Sequence, residues 1–350
     1  MRVAVTNYIA RFGAPDDPGG GFFSPLTEAG KVDQPGWPGF KDPLWGPRLM
    51  MRDIETDPAR IAVVCGSSKG DLSALPSWSE SGDFSWTADS IAHRVARSIG
   101  ASGPVLSPNA ACATAAHALA LGARMIEYGQ ADLVLAGGVE LPQPPLILAA
   151  YRNMHALSKT GIMRPFDARR DGFVAASGFG YLLLESEEHA KKRGAQIHGY
   201  LSGWSMKCDA THMTSMCPSG ESIARAIEDA LRKAGNPQID YINAHGTATK
   251  LNDAIESKAI KSVFGKGVPV SSTKPLTGHL LGAAGVVEAA ICLTALRNGV
   301  APPTLNLEEG DSDCDLDYIP TEGRKLNVKT VLSLNYGFGG HIGALIFEKA

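Results

Sequence analysis

What most constrains this chain is a recurring unit made of a short apolar run, a glycine-bearing turn and a helical pattern. RIAVVC, Arg60 to Cys65, has the length and continuity of a buried strand, and Asp89 to Ser98 has helical spacing. Residues 113 to 128 hold a second helical pattern stopped by Gly129, and DLVLAGG from Asp132 supplies the next strand with a glycine stop. The later half repeats the unit. ESIARAIEDALRKAGNP from Glu221 is an amphipathic helix ended by Gly235 and Pro237, and IDYINA after it reads as a strand. VPVSST is another strand, leading through KPLTGH to a helix from about Gly282 to Arg297 that Asn298 and Gly299 close. TVLSLN and HIGALIFE are the last strands, joined by the turn YGFGG. Such alternation predicts an α/β chain of largely parallel layers, and the likeness of the halves suggests a duplicated unit.

Ala14 to Pro47 stands outside this grammar, with Phe22, Phe23, Trp37, Phe40 and Trp45 scattered among Gly and Pro. Large aromatics are scarce in unstructured linkers, so the segment reads as a packed surface loop, with a lid or a subunit contact as the other options. A formal net charge of -3, from 33 Lys plus Arg against 36 Asp plus Glu, gives no electrostatic reason to expect nucleic acid or an anionic membrane as partner. The six cysteines, at positions 65, 112, 208, 217, 292 and 314, form no CxxC pair and no zinc or disulfide spacing, so no metal site is expected and a reducing cytoplasm fits best. MRVAVTNYIARFG lacks the pattern of a cleaved leader and reads as a first strand. GAAGVVEAAICLTAL, the most apolar run, is interrupted by Glu288 before it reaches membrane-spanning length.

Four stretches sit at turns where strands end: AACATAAH around Cys112, NAHGTATKLNDAIE from Asn243, STKPLTGHLLGAAG from Ser272, and NYGFGG from Asn335. In α/β sheets such ends are where ligands bind. A cysteine among alanines is more often a small buried residue than a reagent. Two histidines, His245 and His279, on separate glycine-bearing turns reverse that weighting. A helix N-terminus favours the thiolate, so Cys112 is expected to take an acyl group from a thioester. Two imidazole N–H donors suit an enolate oxygen, and backbone N–H groups of Cys112 and YGFGG suit the oxyanion of a tetrahedral step.

The ordered set of motifs resembles the β-ketoacyl-[acyl carrier protein] synthases, decarboxylating condensing enzymes of the thiolase fold. The family pattern is a cysteine in an Ala/Ser/Thr-rich helix start, HGT-x-T with a downstream Asp and Glu, a lysine five residues before GH-x-x-GAAG, and GFGG. The resemblance runs from about Arg60 onward and implies two similar α/β halves, 1–185 and 186–350, in a layered α-β-α-β-α core. By position it makes Cys112 the acylated nucleophile and His245 and His279 the pair that drives decarboxylation. It implies that Lys274 pairs with Glu256, with Asp253 in the same buried network. Thr247 and Thr249, and more weakly Thr214, are implied to hold a phosphopantetheine arm. Phe338 would gate the thiol, with Gly337 and Gly339 shaping its turn, while His117 reads as structural. MRPFDARRDGFV from Met163 resembles a further family signature.

The implied partners are acyl carrier protein, whose arm is the only cofactor-like group, and a second copy or a second ketosynthase-like chain. The implied reaction serves fatty acid or polyketide-type biosynthesis. The chain departs from the pattern at Ala176, Ser177 and Gly178, where a G-E-G run is usual, at His341 and Ile342 after GFGG, and at Lys250, where proline is usual. It is also shorter before Cys112 than family members usually are. A chain-length-factor-like subunit, which shapes a catalytic partner's pocket, is the alternative; such relatives typically lack the cysteine. A biosynthetic thiolase would need a second cysteine as base, and the GFGG turn has none.

Overall fold

The computed structural model describes residues 1–13, 44–70 and 90–350. Most of the aromatic Ala14–Pro47 segment therefore lies outside the described residues; its end enters a short helix, α1 (Trp45–Met51). Twelve strands are described: β1 (Val3–Gly13), β2 (Ile61–Gly66), β3 (Val105–Leu106), β4 (Leu133–Glu140), β5 (Ser177–Ser186), β6 (Gly199–Cys208), β7 (Tyr241–Asn243), β8 (Val270–Ser271), β9 (Val300–Ala301), β10 (Arg324–Lys325), β11 (Thr330–Gly337) and β12 (His341–Glu348). Ten of them form one sheet, in the order β3-β2-β4-β5-β1-β6-β12-β11-β7-β8.

Divided between β1 and β6, the order reads as one five-strand pattern and its mirror. In each half the two outer pairings are parallel and the two inner ones antiparallel: β2 with β3 and β4, then β4 with β5 and β5 with β1; likewise β7 with β8 and β11, then β11 with β12 and β12 with β6. The short antiparallel ladder Val3–Val5 with Gly199–Leu201 joins the halves. The expectation of a largely parallel sheet is thus corrected to a mixed one. The three residues between β11 and β12 allow only an antiparallel return, and β1 enters between two strands running against it.

Two helices occupy the middle. Helix α3 (Thr114–Glu127) buries ten residues, six of them Ala or Gly, and helix α9 (Ala284–Asn298) buries thirteen of its fifteen. They pack on each other and on strands from both halves, whereas α2 (Ile91–Ile99) lies against β2, and α6 (Glu221–Lys233) against β6 and β12. The result is the layered α-β-α-β-α arrangement. Their mostly small residues suit a two-sided burial that a one-sided amphipathic helix could not satisfy. Leu281–Asn298 is long and apolar enough to cross a membrane by composition alone, but it is almost entirely buried in the protein.

Both central helices are entered the same way. A single 3-10 turn, Ala111–Ala113 or Leu281–Ala283, precedes each, and its first residue is left-handed, with φ of 48° at Ala111 and 47° at Leu281. Cys112 occupies the middle of the first turn. Gly282 occupies the same place in the second.

Candidate active site

The four motif-bearing turns meet at a cavity of about 430 Å³ whose lining includes Cys112, His245, His279, Thr247, Thr249 and Phe338. Gly337 and Thr214 also face it, the latter from an exposed loop where its hydroxyl lies 3.4 Å from His212 Nδ1. Thr247 and Thr249 stand side by side with their hydroxyl oxygens 3.1 Å apart. Lys274, Glu256 and Asp253 are wholly buried behind this lining.

The strained turn that carries Cys112 is braced by Thr114, which accepts from the N–H of Ala110 at 2.9 Å and donates to the carbonyl of Ala111 at 2.7 Å. Strand β11 ends against it so closely that a Cβ on Gly337 would stand 2.3 Å from the carbonyl oxygen of Ala110 and 3.0 Å from the Cys112 nitrogen. Gly339 has a φ of 84°, which suits glycine, and its N–H donates to Met213 at 2.7 Å. The expected thiolate is corrected. Cys112 is buried, and burial pushes its thiol up to about 12 even though the Lys69 and Lys274 ammonium groups pull the other way. The apolar cluster around Sγ, which includes Tyr151, Phe173 and Leu281, supplies the desolvation.

His245 follows β7 and His279 follows helix α8 (Lys274–Thr277). Their rings meet edge to face with centroids 5.4 Å apart, and Phe173 packs on His279 at 4.9 Å. Burial, and after it the Lys274 charge, holds both imidazoles well below their ordinary range, so both are neutral at pH 7.

The implied Lys274–Glu256 pair is not what the structure contains. Lys274 Nζ donates to Glu288 Oε1 at 2.5 Å, and Glu288 Oε2 accepts from Asn335 Nδ2 at 2.5 Å. Glu256, on helix α7 (Lys250–Phe264), instead accepts the backbone N–H groups of His245 and Gly246 at 2.7 and 2.8 Å. Asp253 is likewise outside the lysine's network: it accepts from Phe166 N–H at 2.9 Å and lies 3.9 Å from Arg170. The physical reason is direction. Glu256 faces the loop carrying His245, while the second turn of α9 brings Glu288 to the lysine.

Glu288 and Asn335 were missed as site residues. The available signal was an acid inside an otherwise apolar helix, which needs a buried partner. The MRPFDARRDGFV segment ties loops together: Arg170 binds Asp311 at 2.5 Å, and Asp167 accepts the N–H groups of Glu308 and Glu309, each at 2.8 Å. His117 is structural, its Nε2 lying 3.0 Å from the carbonyl of Ile342. Of the departures, Lys250 reaches the carbonyl of Ala168, Ser177 is buried in β5 opposite Gly13, and His341 meets His117 edge-on at 5.9 Å.

Comparison with known proteins places these features in company. The beta-ketoacyl synthase N-terminal domain matches residues 49–190 and the beta-ketoacyl synthase C-terminal domain residues 198–308. A 3-oxoacyl-[acyl-carrier-protein] synthase 2 of Coxiella burnetii is 43% identical over 71% of this chain and 62% of its own length. The actinorhodin polyketide putative beta-ketoacyl synthase 1 of Streptomyces coelicolor is 36% identical over 84% of this chain and 69% of its own. The chain thus spans less than two thirds of the Coxiella protein. Among solved structures, a type II polyketide synthase acyl-carrier protein in complex with its ketosynthase bound to the hexaketide has a chain that superposes with a TM-score of 0.86 at 30% identity, covering 100% of this chain and 99% of that one.

Proposed function

Because the chain belongs to the β-ketoacyl synthase family, we propose that it catalyses decarboxylative condensation between an acyl group carried on Cys112 and a malonyl group carried on acyl carrier protein, for fatty acid or polyketide-type biosynthesis. The observation that carries this reading is one cavity shared by a thiol and two neutral imidazoles. In the loading step the Cys112 Sγ–acyl bond forms, the carrier's thioester bond breaks, and the thiol proton passes to the departing carrier sulfur. In the second step the malonyl C–COO⁻ bond breaks, carbon dioxide leaves, and the enolate attacks the Cys112 thioester, whose sulfur leaves and is reprotonated.

Neutral His245 and His279 donate to the enolate oxygen, a role that a pair of ring N–H groups fills in a dry site. Lys274 with Glu288, Glu256 and Asp253 position the histidine loops from behind. Thr247, Thr249 and Thr214 hold the amides of the phosphopantetheine arm, and Phe338 gates the thiol, with Gly337 and Gly339 fixing its turn. Acyl carrier protein as partner, a dimer of like or unlike chains, the halves 1–185 and 186–350, and a cytoplasmic location belong to the same reading; the matched strand orders and six unbridged cysteines support the last two.

Intact-mass analysis after exposure to acyl-carrier thioesters tests it. An acyl adduct on the protein that Cys112→Ala abolishes is expected. The chain-length-factor-like alternative predicts no adduct and co-purification with a second synthase-like chain. Carbon dioxide release from malonyl-carrier without a primer separates the roles: Cys112→Ala keeps this step and His279→Ala loses it.

A further inference from the structure

We propose that Tyr151 and Lys69 form an oxygen-recognising subsite for the acyl group on Cys112, selecting chains that bear a carbonyl or hydroxyl oxygen over plain hydrocarbon. The inference rests on the acyl-carrying role of Cys112 proposed above. Tyr151, on helix α4 (Pro145–Asn153), is 8% exposed and packs in the same apolar cluster as Cys112, Phe173 and Phe338. Its ring meets Phe173 edge-on at 5.5 Å and Phe338 at 6.4 Å, yet it is not among the cavity's lining residues. It sits in the cluster beside Cys112, close enough that the two groups interact electrostatically.

A wall built for a saturated chain would be wholly apolar. This one carries a phenol backed by a part-buried ammonium. Lys69 Nζ donates to Tyr151 Oη at 3.1 Å and to Ser68 Oγ, and it pairs with Glu140 Oε1 at 3.4 Å. Glu140 is 1% exposed and anchored by the N–H groups of Ser68 at 3.1 Å and Gly282 at 2.9 Å, with Gln143 Nε2 at 2.9 Å. Tyr151 and Ser68 thus accept from the ammonium, and the Glu140 carboxylate neutralises it.

The phenol oxygen that accepts from Lys69 keeps its own proton, and no hydrogen bond among the described residues uses it. Accepting from a cation makes that O–H a stronger donor. The charge acts at the reaction centre as well, because Lys69 opposes the upward push on Cys112 and helps depress His279. An oxygen on the acyl chain satisfies the proton. A hydrocarbon chain of the same length buries it without a partner.

Competition between 3-oxobutanoyl and butanoyl groups, each carried on acyl carrier protein at equal concentration, reads the preference by intact mass. The 3-oxobutanoyl adduct on Cys112 is expected in about tenfold excess, the size of one well-placed buried hydrogen bond. Tyr151→Phe, which keeps the ring, and Lys69→Met, which keeps the stem, should each bring the ratio close to one. Equal loading of the unsubstituted protein, or an excess that survives both substitutions, overturns the subsite while leaving the acyl-carrying role standing. No adduct from either donor overturns that role, and the subsite with it.

Discussion

Glu288 is 2% exposed and Lys274 is fully buried, so neither charge can be removed alone without stranding the other. Breaking such a pair from one side costs about 3–5 kcal/mol. Glu288→Gln should lower the denaturant midpoint accordingly, and the stranded ammonium should also weaken carbon dioxide release through the two histidines. The histidines give a pH signature. Since burial and Lys274 hold both below the ordinary value of 6.5, carbon dioxide release by Cys112→Ala should run flat from pH 8 down through 6.5; a break there would mean an imidazole with an ordinary pKa. Burial raises Glu256 from 4.5 to about 7. A raised carboxyl stabilises the fold fully below pH 4.5 and loses that contribution as pH rises through about 7. Melting temperature plotted against pH should therefore fall less steeply across that window in Glu256→Gln, with Asp253, raised to about 6, supplying the remaining slope. Cys112, His245 and His279 were legible in the sequence because each sits in a turn whose glycines and threonines repeat a known order. The partner of Lys274 was not. Glu256 and Glu288 lie 18 residues before and 14 after Lys274, and only the direction of each helix decides which one reaches it.

The elbow before helix α3 depends on strand β11 pressing against it. A methyl group on Gly337 would collide with backbone rather than with a yielding side chain. Gly337→Ala should reduce acyl loading of Cys112 at least tenfold and lower the melting temperature, both measurable on the purified protein. At this scale the helices after Cys112 and His279 were readable to within two or three residues, as was the strand pair around YGFGG. The mixed sense of the sheet was less so. Local periodicity reports that a strand is buried but not which neighbour it finds, and β1 finds partners 164 or more positions away at every register position.

The two halves share more than a boundary. The sheet is continuous through β1 and β6, and helices α3 and α9 pack on each other and on strands of both. Heat should therefore unfold the described core in one step, with a single calorimetric peak whose van't Hoff and calorimetric enthalpies agree. Two resolved peaks would mean that each half holds its own core. The likeness of the two halves was suggested by the repeated grammar of the sequence, and the matched strand orders agree with it, whereas their joint left no trace, because an antiparallel ladder of three residues leaves no mark in composition.

The position of β1 also bears on how the protein is made. Val3–Gly13 leaves the ribosome early, but it pairs with β5 at 177–186 and β6 at 199–208. At synthesis rates of about 5–20 residues per second, roughly ten to forty seconds pass before both partners exist. Through that interval an apolar strand waits with both edges open, so the nascent chain, rather than the finished protein, is the form most in need of a chaperone.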